Sequence, residues 1–255
     1  MRTITFTLLV LCSNFILNSA FAELSDYPYY KDHLTSIQKG IDQELKDALK
    51  SAIKNNKVFS YKEARRILFG ELFLERDSRG FKIVDSYCEK TFDSSSGVGQ
   101  NRIPNHNKVN CEHTWPQSRF NRRESTSAQK SDLHHLFPVK ATANSTRGNI
   151  PFGEVYGETI PDCDASSRGD DIYEGTSAFE PPKYHKGNVA RALFYFSVRY
   201  NIAIPDQEEL HLRAWNIADP VDREEMARNE RIEELQGNRN PFIDDPDLVD
   251  KITNL

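Results

Sequence analysis

Glutamate and histidine stand side by side at Glu112-His113, inside the block Cys111-Glu112-His113-Thr114-Trp115-Pro116, and a second block, Ser131-Asp132-Leu133-His134-His135-Leu136-Phe137-Pro138, follows. Neighbours on a strand project to opposite faces, so an adjacent pair does not readily bring both side chains to one metal ion. The adjacency therefore divides the labour: a hard carboxylate oxygen for a cation, an imidazole for a proton. Asn144, in a short polar segment downstream, offers a neutral oxygen to join the carboxylate. Residues 108–113 read as a short strand leading into the pair.

Around that centre the pattern is helix-rich α+β. Residues 27–55 read as one helix, with Leu34, Ile37, Ile41, Leu45, Ala48, Leu49 and Ala52 at helical spacing. Ser60 and Glu63 form an S-x-x-E capping box for a second helix. Residues 81–88 alternate loosely and predict a strand; residues 94–107 are a Ser-, Gly- and Asn-rich loop. Residues 149–182, with little periodicity, are expected to form a long ordered loop. Three helices follow over 187–200, 206–218 and 221–236, with Asp206 as the N-cap of the second and Gly237 stopping the third.

The first 22 residues have the pattern of an export leader: Arg2, an apolar stretch interrupted by polar residues, and Ala20-Phe21-Ala22 before Glu23. The expected mature chain is one domain over 23–255, with a helical part over 23–78, a catalytic core over 79–150 and C-terminal helices over 183–255. It has no membrane anchor and is expected to be secreted or periplasmic, and a monomer. A formal net charge of −5 argues against polyanion binding by the whole surface. A local basic groove remains open, since Arg119, Arg122, Arg123, Lys130, Lys140 and Arg147 flank the Glu-His block. Cys88, Cys111 and Cys163 allow at most one disulfide among them, and the sequence does not choose the pairing.

Phosphodiester hydrolysis needs an activated water, a cationic clamp for the charge that develops at phosphorus, and help for the leaving oxygen. One carboxylate, one amide and one imidazole suit Mg²⁺, which keeps several waters, better than Zn²⁺, which prefers more His and Cys. A zinc set of Cys111, His113, His134, His135 and Cys163 lacks the ligand spacing of structural zinc sites.

The two blocks, with Ala143-Asn144-Ser145-Thr146-Arg147-Gly148-Asn149, Val189-Ala190-Arg191-Ala192-Leu193-Phe194-Tyr195, Ala214-Trp215-Asn216, Arg228-Asn229-Glu230-Arg231-Ile232 and Gln236-Gly237-Asn238-Arg239-Asn240-Pro241-Phe242, closely resemble the bacterial endonuclease I family of exported nucleases over about residues 81–243. The resemblance implies a ββα-metal (His-Me finger) core of two short strands and a helix around one divalent cation. It implies cleavage of DNA, and often RNA, through backbone contacts with little sequence preference, leaving 5′-phosphates. On matching positions His113 is the general base, Glu112 and Asn144 are ligands of Mg²⁺ (Ca²⁺ or Mn²⁺ as substitutes), and residues 139–147 are the helix. An arginine after the Glu-His block steadies the phosphate in such enzymes; Arg119, Arg122 and Arg123 are candidates, Arg122 foremost. His134, Arg147 and Arg228 complete the candidate substrate contacts, with buttressing or salt-bridged faces as the plainer readings of His134 and Arg228. Lys130 stands where some relatives carry an acidic residue. Trp215 is expected in the core, and Arg65-Arg66 outside the resemblance and on the surface.

Overall fold

The structure, a computed structural model, describes residues 24–255, so the expected leader and its cleavage site lie outside the described residues. The chain begins with α1 (Leu34–Lys39), α2 (Asp42–Ile53) and α3 (Tyr61–Ile67), the last running on into a wider turn over Leu68–Leu72. The single helix expected over 27–55 is broken at Gly40. There the backbone is extended, and an added Cβ would lie 2.9 Å from the Leu45 nitrogen and the Ser36 oxygen. Ile41 consequently caps α2 and is 61% exposed rather than part of the apolar face. Ser60 caps α3 as expected, accepting the Glu63 N–H at 3.2 Å, an interaction generally worth about 1 kcal/mol.

β1 (Glu75–Asp77), β2 (Gly80–Val84) and β3 (Thr91–Phe92) form a small antiparallel sheet. The strand expected over 81–88 stops at Val84 because Asp85 turns the chain. Its carboxylate accepts the backbone N–H groups of Tyr87, Cys88, Lys90 and Lys140 at 2.9–3.1 Å. β4 (Val109–His113) does form where the sequence places a strand. After α4 (Thr126–Ser131) comes β5 (Leu136–Lys140), antiparallel to β4 with Glu112 opposite Phe137 and His113 opposite Leu136. Pro138 inside β5 masks that strand in the sequence; its missing donor is tolerated, and its carbonyl accepts from Ser86 N–H at 2.8 Å. α5 (Ala141–Arg147) follows directly, its first N–H bonded to the Lys108 carbonyl at 3.0 Å.

The loop expected over 149–182 is instead largely an antiparallel sheet of β6 (Val155–Ile160), β7 (Cys163–Asp171) and β8 (Ser177–Glu180). Its residues are mostly polar on both faces, so the period-2 apolar signal is missing. Gly157 and Gly169 oppose each other in it, where an added Cβ on either would sit 2.3 Å from the facing backbone. The C-terminal part comprises α6 (Lys186–Tyr200), α7 (Asp206–Ala218), α8 (Arg223–Gln236) and the short α9 (Pro241–Asp244). Pro205, not Asp206, caps α7; Asp222 caps α8, and Gly237 ends it at φ 85°.

Apolar side chains gather in two clusters, with the β4–β5 pair as the seam. Val109, Cys111 and Leu136 pack with α3 and β2, while Val139, Ala143 and Trp115 join α2, α6 and α7. α6 is buried almost all round, as a central core helix must be. Its Arg191 is compensated by Glu225 at 2.5 and 2.9 Å and by Asn216 at 3.1 Å. Trp215 is in the core as expected, 2% exposed. Cys88 and Cys163 form a disulfide, and Cys111 is a free buried thiol. Among the described residues no helix is long and apolar enough to cross a membrane.

Candidate active site

The end of β4, the chain after it and α5 enclose a cleft of about 490 Å³, lined by Glu112, His113, Gln117, Asn144, Arg147 and Tyr61 among others. The antiparallel register holds the Glu-His pair at the strand end, and α5, starting one residue after β5, brings Asn144 back to it. The two neighbours then find separate partners, as their opposite projection requires.

Glu112 is buried. Its Oε1 accepts from the Tyr87 hydroxyl at 2.9 Å and pairs with Arg147 Nη1 at 3.1 Å. Burial pushes the carboxyl up from its usual range, and Arg147 and the Tyr87 hydrogen bond pull it back toward the ionised form. The His113 backbone N–H also holds the carboxylate, and the Asn144 amide beside it in the cleft makes no side-chain hydrogen bond among the described residues.

His113 is turned to the opposite side. Its Nε2–H donates to the Lys130 carbonyl at 3.1 Å, which fixes the tautomer and leaves the Nδ1 lone pair facing the Gln117 amide at 3.4 Å. Burial, with His135 and nearby cations adding to it, pushes the imidazole down to about 3, so it is neutral and able to accept a proton. Trp115, stacked on Phe196 at 5.3 Å, and Phe120 anchor the following turn.

The arginines sort differently from expectation. Of the candidates only Arg147 lines the cleft. It is buried, and besides Glu112 its guanidinium donates to the carbonyls of His113 at 3.3 Å and Thr114 at 2.9 Å, over the Phe152 ring at 4.4 Å. Arg119 is committed elsewhere, to Glu208 at 2.8 Å and the Trp115 face. Arg122 and Arg123 are exposed and do not line the cleft. The compact turn at 119–123 carries those side chains outward, so the foremost candidate is not brought to the pair.

His134 and Arg228 are also kept out of the cleft. His134 is buried, donates through Nε2–H to the Asn238 carbonyl at 3.0 Å and packs on Tyr195. Asp132 holds that segment, accepting from Tyr195 and Tyr200 hydroxyls at 2.8 Å each and Gln236 at 2.9 Å. Arg228 bonds Asn188 at 2.8 Å over Phe137, beside a separate pocket of about 640 Å³. The five residues of the zinc alternative do not converge: Cys163 is in the disulfide, and no three metal-binding side chains cluster among the described residues. Tyr61, Tyr87 and Gln117 were not singled out by sequence; only fold contacts reveal them, since each reaches the pair from a different segment.

A family model for Endonuclease I matches residues 42–247, reaching further N-terminal than the sequence blocks and taking in Arg65. The chain is 38% identical over 161 residues to an extracellular ribonuclease of Bacillus amyloliquefaciens, covering 56% of this chain and 53% of that protein. It is 35% identical over 132 residues to an extracellular deoxyribonuclease of Aeromonas hydrophila, covering 49% and 51% respectively. Over 120 residues it is 29% identical to Endonuclease-1 of Buchnera aphidicola, covering 45% and 44%. The chain thus spans about half the length of the curated relatives it matches.

Proposed function

The chain belongs to the endonuclease I family, and on that premise we propose that it is an exported nuclease that hydrolyses phosphodiester bonds of DNA, and also of RNA, with one divalent cation. The observation that carries this reading is the division within the pair. One cleft holds a neutral imidazole whose Nδ1 meets only the Gln117 amide and, beside it, the ionisable Glu112 carboxylate and an Asn144 amide without a partner.

That donor set fits a hard ion. Glu112 and Asn144 would hold Mg²⁺, with Ca²⁺ or Mn²⁺ as substitutes, in a ββα-metal core made of β4, β5 and α5. A sparse oxygen pair of this kind is what Mg²⁺ accepts while keeping several waters. When bound, the ion supplies positive charge where the phosphorus centre becomes most negative. Arg147 keeps the Glu112 carboxylate ionised and oriented. His113 takes a proton from water through Nδ1 as that water attacks phosphorus, and the bond to the 3′ oxygen breaks, that oxygen taking a proton from a second water, to leave a 5′-phosphate and a 3′-hydroxyl. A bound phosphate beside His113 raises its basicity in the complex, countering the burial that depresses it. Contacts to backbone rather than bases give little sequence preference and marked salt sensitivity.

RNA stands beside DNA because one of the relatives at the highest identity above is named a ribonuclease, while others are named deoxyribonucleases. Several relatives are also named extracellular or periplasmic, which agrees with the export leader read in residues 1–22. The test incubates purified protein with supercoiled DNA, linear DNA and RNA, with Mg²⁺, Ca²⁺ or EDTA. Cleavage with Mg²⁺ that EDTA abolishes is expected. Full activity in EDTA, or stoichiometric tightly held zinc, would overturn the reading.

A further inference from the structure

Beside the cleft, Tyr61 carries two cations against its ring: Arg65 with its guanidinium carbon 4.7 Å from the ring centre, and Lys130 with Nζ at 4.6 Å. Tyr61 itself lines the cleft, its ring centre 5.5 Å from that of His113. Tyr61 and Arg65 are one turn apart on α3, behind the Ser60 cap, and Lys130 comes from the last turn of α4. Many other arginines and lysines of this net-acidic chain are paired with carboxylates. Neither Arg65 nor Lys130 has such a partner among the described residues, and Arg65 Nε is buried with no acceptor. An orphaned buried donor generally costs about 1–3 kcal/mol, and no acceptor among the described residues offsets it.

We propose that Arg65 and Lys130, held in place by Tyr61, form a second phosphate subsite that takes a backbone phosphate adjacent to the one being cut. This rests on the phosphodiesterase reading above. The ligand class follows from the chemistry: two un-neutralised cations of different geometry next to the catalytic imidazole suit a phosphate diester. Tyr61 links the two places, its ring centre 5.5 Å from that of His113 and both cations against the same ring. With both cations already against the ring, a base does not stack there without displacing one, so the subsite reads backbone and not sequence. Arg65, expected on the surface, is therefore part of the substrate path.

The test measures binding of a fluorescent DNA duplex in EDTA against salt concentration, for the full chain and for the Arg65→Gln/Lys130→Gln and Arg65→Lys/Lys130→Arg double variants, with thermal melts to verify folding. The neutral pair is expected to make the slope of log affinity on log salt shallower by about 1–2, and the charge-conserving pair to keep it. With Mg²⁺, the neutral pair should raise KM with kcat held within about twofold. An unchanged slope, or a fall in kcat at constant KM, overturns the proposal. Should the neutral pair melt early, loss of the slope in the well-folded charge-conserving pair would equally overturn it. A wild-type protein that binds with the expected slope difference yet never cleaves would sink the nuclease reading and leave this subsite standing.

Discussion

The two cavities on either side of Tyr87 differ in a way that size does not report. The larger, about 640 Å³, lies over Phe73 and Phe137 with Glu71, Glu75, Asp222 and Glu224 among its lining residues. Of its arginines, Arg228 is tied to Asn188 and Arg231 to Glu71 and Glu234, and its histidine, His185, is buried with Nε2 unpartnered. The smaller, about 490 Å³, has a base whose Nδ1 meets only the Gln117 amide, a carboxylate beside it and an Asn144 amide without a partner. Tyr87 divides them: its hydroxyl holds Glu112 on one side, and its ring meets His185 at 5.9 Å on the other. What favours the smaller cavity as the proposed site is the Asn144 amide left unpaired beside an oriented imidazole; the larger is lined by more carboxylates than cations.

The contrast can be broken most forcefully at Glu112. Glu112→Ala is expected to lower metal-dependent cleavage by about 10³-fold, in line with the several kcal/mol a Lewis acid contributes, and to raise the Mg²⁺ concentration for half-activity; titrating Mg²⁺ against rate measures both. Next comes the partition itself. The Cys88–Cys163 bridge closes a long loop beside Tyr87, with a sequence separation of 75. Replacing both cysteines with serine should cost about 4 kcal/mol by the loop-entropy relation, read by denaturant unfolding.

Two arginines, Arg147 buried and Arg228 partly so, then separate the cavities. Arg147→Ala strands the Glu112 carboxylate without its cation and is expected to cost about 3 kcal/mol. Arg228→Ala leaves Glu225 with Arg191 and should cost about 1–2 kcal/mol, mainly through lost packing. Equal losses in chemical denaturation would contradict the distinction. Acid sensitivity gives an effect of similar size per group. Burial pushes His113 and His185 down to about 3 and His134 and His135 to about 4. The unfolded chain takes up these protons near pH 6.5 while the folded one refuses them, so stability falls as pH drops below that value. By pH 5 the loss is about 2 kcal/mol for each histidine, and a flat melting temperature between pH 7 and 5 would refute it.

Much of this was legible in the sequence where local rules and tertiary demands agree. The Ser60 cap, β4, the C-terminal helices and the stop at Gly237 are set by residues within a few positions of one another. The strand through Pro138 and the polar sheet over β6–β8 were not, because long-range pairing decides them, and the break at Gly40 lay hidden under apolar spacing that runs through it. At the site, Glu112, His113 and Asn144 were readable as a set, and the cleft contains all three. Among the candidate arginines, the one that reaches the Glu112 carboxylate is not the one put foremost, for a physical reason. Proximity in sequence favoured Arg122, whereas the turn of α5 delivers Arg147, thirty-odd positions on, to the Glu112 carboxylate.

The most direct test of the central claim compares His113→Ala with the unaltered protein on supercoiled DNA in Mg²⁺, measuring nicking rate and DNA affinity together. The account predicts a loss of about 10²–10⁴-fold in rate, the usual contribution of a positioned proton acceptor, with affinity unchanged. Nicking by His113→Ala at the unaltered rate would contradict it.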